Sequence, residues 1–150
     1  MQVDTIQIKF ITPAETYVVR HPVLRVGKPV ESCKLEGDED PTTFHLGAYM
    51  DGQLVGVVSM LIQEYSGQSH QKSYQLRGMA VLASKQGRGI GAQLIAAAEE
   101  EVTNRGGDFI WMNARLKAVN FYTSLGYTID SPLFEIEKIG PHYVMVKELS

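Results

Sequence analysis

The residues best placed for chemistry are Gln86-Gly87-Arg88-Gly89-Ile90-Gly91, which follow an apolar run ending at Met79-Ala80-Val81 and open a helical one. Glycine lets a backbone approach a ligand closely, and the first N–H groups of a helix have no acceptor within it. Together with the helix dipole they make a site for an anion such as a pyrophosphate. Lys85 and Arg88 add positive charge at the same end. A plain tight turn that starts a helix would use the same residues, but glycines at 87, 89 and 91 on a strand-to-helix junction favour phosphate binding. Two familiar versions of such a loop do not fit. A phosphate-binding loop of the Walker kind needs Lys-Ser or Lys-Thr after its last glycine, whereas Gly91 precedes Ala92-Gln93. Gly87, Gly89 and Ala92 match a dinucleotide fingerprint, yet residues 82–85 intervene after Val81, and the next strand ends at Asn113-Ala114 without an acid.

Side chains able to move a proton are few. Tyr122 lies with Ala118, Phe121 and Leu125 on one helical stripe, a spacing that by itself reads as core. His142 follows Gly140-Pro141 at the mouth of the final strand, a place where a histidine serves as a base or is simply solvated. Glu64 ends a central strand and is the weaker base. His45 and His70 read as a strand residue and a loop residue. The four histidines show no H-x-x-x-H spacing, so no metal is expected. Cys33, the sole cysteine, excludes an internal disulfide and a cysteine zinc cluster, and reads as a small buried hydrophobe. Arg20, Arg25 and Lys28 crowd the region after the first helix, with Arg77 and Arg115 near strand ends. They suit an anionic acceptor, or equally a scatter of surface arginines covering apolar neighbours.

These residues need elements to hold them. Gln2 to Ile11 alternates as a first strand. Thr12-Pro13-Ala14-Glu15 is a capping-box helix start, and Pro22 should end or kink that helix. Arg25 to Pro41 reads as loop with a short helix. Thr43 to Met50 and Gln53 to Glu64 flank Asp51-Gly52, a hairpin signal. A polar loop from Ser66 to Lys72 leads to a strand from Tyr74 to Val81. Gly89 to Arg105 is an amphipathic helix with Ile90, Leu94, Ile95, Ala98 and Val102 on one face, closed by Gly106-Gly107. Phe109 to Ala114 is a strand, and Lys117 to Leu125 is a helix ended by Gly126. Tyr127 to Ile129 and Tyr143 to Leu149 are final strands, separated by a loop with Pro132, Gly140 and Pro141. The order predicts a mixed α/β layer fold, in which the long helix crosses over between parallel strands.

Composition bounds the rest. The chain has 150 residues, 44% hydrophobic and 21% charged, which suits one globular domain over 1–150 and is too apolar for disorder. A net charge of −3 lacks the basic excess of a nucleic-acid binder. The N-terminus shows no secretory signal and no apolar run is long enough for a membrane span, so a cytoplasmic protein is expected.

Gln86-Gly87-Arg88-Gly89-Ile90-Gly91 resembles the Gln/Arg-x-x-Gly-x-Gly/Ala motif of the GNAT superfamily of acetyl-CoA-dependent N-acetyltransferases. Met79-Ala80-Val81 is similar to the strand end before that loop, and Asn120-Phe121-Tyr122 with Leu125-Gly126-Tyr127 to the family's later signature, with Ala118 shifted from its usual place. The resemblance implies a GNAT-like acyl-CoA N-acyltransferase fold. This is a mixed, mostly antiparallel central sheet with one splayed parallel pair, flanked by helices. It implies acetyl transfer to a primary amine by direct attack in a ternary complex, with acetyl-CoA as co-substrate and no metal. The amides of Gln86, Gly87, Arg88, Gly89, Ile90 and Gly91 would then clamp the pyrophosphate, with Ile90 giving its N–H while its side chain faces the core. Met79, Ala80 and Val81 would bind the pantetheine arm and the thioester carbonyl, and Asn120 the arm. Tyr122 would sit near the sulfur as general acid. The base is not given by the resemblance: His142, from its place and its reference pKa, is the candidate, with Glu64 the weaker one. The acceptor is an amine on a small molecule, peptide or protein, and the family also admits homodimers. A non-catalytic acyl-CoA sensor is the alternative.

Overall fold

A computed structural model describes residues 5–66 and 72–149. The start of the expected first strand, most of the Ser66–Lys72 loop and His70 lie outside those residues. The chain forms two compact units, residues 1–61 with 76–101 and residues 62–75 with 102–150.

The first unit starts with β1 (Ile6–Ile11), which pairs antiparallel with β2 (Phe44–Met50) from Ile6↔Met50 to Ile11↔His45. Between them runs α1 (Pro13–Leu24). Its start is the capping box expected: Glu15 N–H donates to Thr12 Oγ1 at 3.2 Å, and Thr12 N–H to Glu15 Oε1 at 2.9 Å. Those bonds favour the ionised carboxylate, so the Thr12 backbone and then its hydroxyl hold Glu15 below the ordinary carboxyl range. Pro22 does not cut the helix. It stands in the last turn, where α1 continues to Leu24 and Arg25 N–H closes onto Arg20 O and His21 O. A single 3-10 turn, Val30–Cys33, interrupts the following loop.

Strand β2 turns into β3 (Gln53–Ile62) through Asp51 and Gly52, at φ 51° and 78°. Left-handed φ at both central residues matches the twist of the strands, which is why Asp-Gly sits there. Strand β4 (Ser73–Val81) follows β3 in the sheet and leads into α2 (Ile90–Asn104). The apolar face read from the sequence is buried as expected: Ile90, Leu94, Ile95 and Ala98 are at most 1% exposed. Gly56 of β3 admits α2 closely, since a Cβ there would lie 3.0 Å from Leu94 and 3.1 Å from Ile90. Val19 of α1, Val57 of β3 and Ala80 of β4 form a second buried cluster. Each buried Val, Leu or Ile side chain stabilises the fold by roughly 1.5–3 kcal/mol.

In the second unit, the first residues of β4 pair in parallel with β5 (Phe109–Arg115), from Ser73↔Phe109 to Gln75↔Trp111. The remaining pairings are antiparallel. Strand β5 pairs with β8 (Gly140–Glu148), and β8 pairs also with β6 (Thr128–Ile129) and β7 (Phe134–Ile136). Among the described residues the sheet order is β1-β2-β3-β4-β5-β8-β6, with β7 also on β8. Strand β7 corrects the sequence reading, which took this stretch as loop and started the last strand at Tyr143. Gly140 and Pro141 already pair with Ile136 and Glu135, and Lys138 takes the left-handed turn at φ 68°. Two helix ends are closed alike. Gly106 (φ 84°) ends α2, with Gly107 N–H on Val102 O at 2.8 Å. Gly126 (φ 97°) ends α3 (Val119–Ser124), with Tyr127 N–H on Tyr122 O at 3.1 Å.

Candidate active site

The glycine segment is an open loop built from backbone. After β4, Leu82 N–H bonds Val55 O at 2.9 Å and residues Ala83–Lys85 make one 3-10 turn. Gln86 is extended, and its side-chain Nε2 donates to Val81 O at 2.9 Å, tying the loop back to the strand end. Gly87 and Gly89 then adopt φ 81° and 80°, with nothing within 4 Å of where a Cβ would stand. These glycines are required by backbone conformation, and the space beside them is open. Gln93 N–H on Gly89 O at 3.1 Å is a first helical bond of α2, so the amides of 90–92 are those a helix leaves without an internal acceptor. No acidic side chain occupies the first turn of α2. Ile90 is 1% exposed, so it offers the loop its N–H alone. Alternating left-handed glycines before a helix start concentrate amide donors, an arrangement suited to a phosphate. Upstream, Ala80 is buried and Met79 and Val81 are half-buried.

Asn120, Tyr122 and His142 belong to the second unit. Asn120 is exposed on α3. Tyr122 is buried, its ring edge-on to Phe121 at 5.1 Å and to Tyr127 at 5.9 Å. Burial pushes its phenol well above the ordinary tyrosine range, so it keeps its proton throughout the neutral range. Tyr127 is 1% exposed, with Lys147 Nζ 5.5 Å above its ring and bonded to Leu125 O at 2.8 Å. Of the residues that carry the resemblance here, Phe121 and Tyr127 thus pack around the tyrosine.

His142 is a strand residue, which corrects its placement in a loop. It lies in β8 opposite Arg115 and Phe134, is 3% exposed and packs on the Phe134 ring at 5.9 Å. Its Nδ1 stands 2.7 Å from Gly140 O, and a carbonyl only accepts, so Nδ1 donates to it and Nε2 is the ring nitrogen not used in that bond. Glu64 lies past the end of β3 and is exposed. Cys33 is buried, and burial raises its thiol, which suits the small-hydrophobe reading.

Arg20 lies within α1, not after it, and with Arg25 and Arg77 it bonds protein groups. Arg20 is 1% exposed: its Nη1 donates to Asp38 Oδ2 at 2.7 Å and to Cys33 O at 2.9 Å, and its Nη2 to Asp38 Oδ1 at 3.2 Å and Ser59 Oγ at 2.8 Å. It is no surface arginine. His45 joins the same group, with Nδ1 2.6 Å from Ser59 Oγ and Nε2 3.1 Å from Asp38 O. The carbonyl acceptor places a proton on Nε2, and Ser59 Oγ accepts from Arg20 Nη2. Arg25 bonds Ser32 Oγ at 3.2 Å, and Arg77 bonds Glu36 O at 3.1 Å. The sequence reading missed this buried network entirely. Its one signal was Asp38, three residues from an amide it caps at Leu35 (2.9 Å), within a segment rich in acids.

Comparison with known proteins agrees with this geometry. The profile of the acetyltransferase (GNAT) domain matches residues 26–149. The chain is 35% identical over 144 residues to YitI, an uncharacterized N-acetyltransferase of Bacillus subtilis strain 168, covering 96% of this chain and 97% of that relative. Its fold is similar to that of an aminoglycoside 6'-N-acetyltransferase complexed with coenzyme A, at TM-score 0.74 and 19% identity over 95% of this chain and 96% of that one. An acyl-CoA N-acyltransferase from Pseudomonas aeruginosa gives TM-score 0.72 and 21% identity, over 97% and 99%. The chain belongs to the GNAT acetyltransferase family and has its mixed-sheet acyltransferase fold. It is an acyltransferase. Among the described residues no helix is long and apolar enough to cross a membrane.

Proposed function

We propose that residues 1–150 make one N-acetyltransferase domain that moves acetyl from acetyl-CoA to a primary amine by direct attack. The observation that carries this is the loop of left-handed glycines at Gly87 and Gly89, open on its Cβ side and running into the acid-free start of α2. Its amides take the pyrophosphate, with Arg88 and Lys85 adding charge. The backbone of Met79, Ala80 and Val81 aligns the pantetheine arm and polarises the thioester carbonyl, and Asn120 bonds the arm.

Direct attack needs a neutral amine, since an alkyl ammonium holds its proton up to a pKa of about 10.4. The amine lone pair forms the new C–N bond at the carbonyl carbon, the C–S bond breaks, and the electron pair leaves on sulfur. His142 Nε2 takes the amine proton and Tyr122 returns one to the thiolate. The phenol carries the proton that step needs and could not serve as the base, while burial makes it a weaker acid than a free tyrosine. Much of the acceleration then comes from positioning, which supplies roughly 7–11 kcal/mol in well-oriented reactions. Screening amines of small molecules, peptides and proteins for acetyl-CoA-dependent product tests the reading. Product with at least one amine class supports it, while tight coenzyme A binding with no turnover on any of them favours the sensor alternative.

A further inference from the structure

Gly78 bends β4 immediately before the stretch assigned above to the thioester, and its φ of 61° is a left-handed value inside a strand. The place its side chain would fill is taken by Arg20: a Cβ there would lie 2.8 Å from Nε, 3.0 Å from Nη2 and 3.2 Å from Cζ. The guanidinium thus lies on the α-carbon of residue 78. Its other side is held by Asp38, Ser59 and the Cys33 carbonyl, with His45 fixing Ser59 in turn. Four of the guanidinium's N–H bonds are accounted for in this way. Nε, the group nearest Gly78, is the only buried side-chain nitrogen or oxygen among the described residues without a hydrogen-bond partner. An arginine whose remaining donor faces a backbone bend is held for its shape and place as well as for its charge.

We propose that Arg20 is a positioning residue for the acyl-CoA-binding stretch: clamped by Asp38, Ser59 and His45, its guanidinium holds the bend at Gly78 and so sets the path of Met79, Ala80 and Val81. This rests on the acyl-CoA reading above. Ser59 and His45 are not a nucleophilic pair in this arrangement. Ser59 is wholly buried, and its oxygen already accepts from a cation.

The test compares coenzyme A with its phosphorylated ADP fragment, which carries the pyrophosphate and lacks the pantetheine arm. Dissociation constants are measured by calorimetry for the wild-type chain, Arg20→Lys and Gly78→Ala, with an unliganded melt for each. Arg20→Lys keeps the charge beside Asp38 and loses the planar group against Gly78; Gly78→Ala disturbs the same contact from the strand. In both, the dissociation constant for coenzyme A is expected to rise about tenfold, the loss of about one hydrogen bond to the pantetheine arm, while that for the fragment is unchanged. The double variant should lose less than the two single losses combined, since both act at one contact. A purely structural Arg20 would lower the melt and leave the ratio of the two constants unaltered. That result, or unchanged coenzyme A affinity in either folded variant, overturns the proposal. Failure of the wild-type chain to bind coenzyme A or its fragment is a different result: it removes the acyl-CoA reading, and this proposal with it.

Discussion

Two glycine-bearing turns of this molecule, Gln86–Gly91 and Leu125–Tyr127, use the same left-handed backbone for different ends. At Gly87 and Gly89 the space beside the α-carbon is open and the amides face the start of a fifteen-residue helix. At Gly126 that space is closed: a Cβ would stand 3.3 Å from Lys147 Cε, and the turn returns the chain so that Tyr127 packs beneath Lys147 and beside Tyr122. The first turn leaves its backbone open, and under the proposed function that backbone meets the ligand. The second packs the buried Tyr127 against one buried phenol, Tyr122. Substitutions should therefore separate the two regions by what they damage, binding in one and proton transfer in the other.

The largest effect should come from Tyr122→Phe. Removing the phenol should lower kcat by about 10²–10⁴ if it donates the proton, with the dissociation constant for acetyl-CoA unchanged. An unchanged kcat would reduce Tyr122 to core packing and erase the contrast. Next comes Leu94→Ala, under the glycine loop. It should destabilise the protein by about 2–5 kcal/mol, read from denaturant midpoints, because Leu94 is fully buried against β3.

The paired variants Gly89→Ala and Gly126→Ala sharpen the comparison. Each forces an alanine into the left-handed region and should cost about 1–2 kcal/mol in stability. Only Gly89→Ala should also weaken acetyl-CoA binding, and equal losses in both would contradict the division of roles. The smallest effect lies at the other end of the first unit. Thr12→Ala should cost about 1 kcal/mol by removing the α1 cap. Glu15, depressed below its ordinary 4.5, contributes stability that is fully present above that value and is lost as pH falls through its lowered one. The melting temperature of Glu15→Gln should accordingly fall less than that of wild type on acidification below 4.5.

The same contrast explains what was legible beforehand. The capping box, the Asp-Gly hairpin, the face of α2 and both helix-closing glycines are local devices in which residue type and backbone conformation coincide, and each was readable. The conformation of the glycine loop was readable too, because left-handed backbone at Gly87 and Gly89 is what glycine favours. Strand β7 was hidden because Phe134-Glu135-Ile136 is too short to show a period, and its pairing depends on a turn at Lys138 that glycine does not mark. Arg20 was hidden for a different reason. Its partners Asp38 and Ser59 lie 18 and 39 residues away, and no spacing in the chain announces a bond across that distance. His142 was misplaced because Gly140-Pro141 resembles a loop, although β7 makes it a strand.

Thermal unfolding of the purified chain with acetyl-CoA, with NAD and without ligand tests the central claim, that Gln86–Gly91 holds the phosphates of an acyl-CoA. Ligand at a hundred times its dissociation constant adds about 2.7 kcal/mol, which for a chain of this size raises the midpoint by about 5–10 °C. The account predicts that rise with acetyl-CoA, none with NAD, and its loss in Gly89→Glu, where a carboxylate would occupy the anion site. No shift at millimolar acetyl-CoA, or an equal shift in Gly89→Glu, would contradict it.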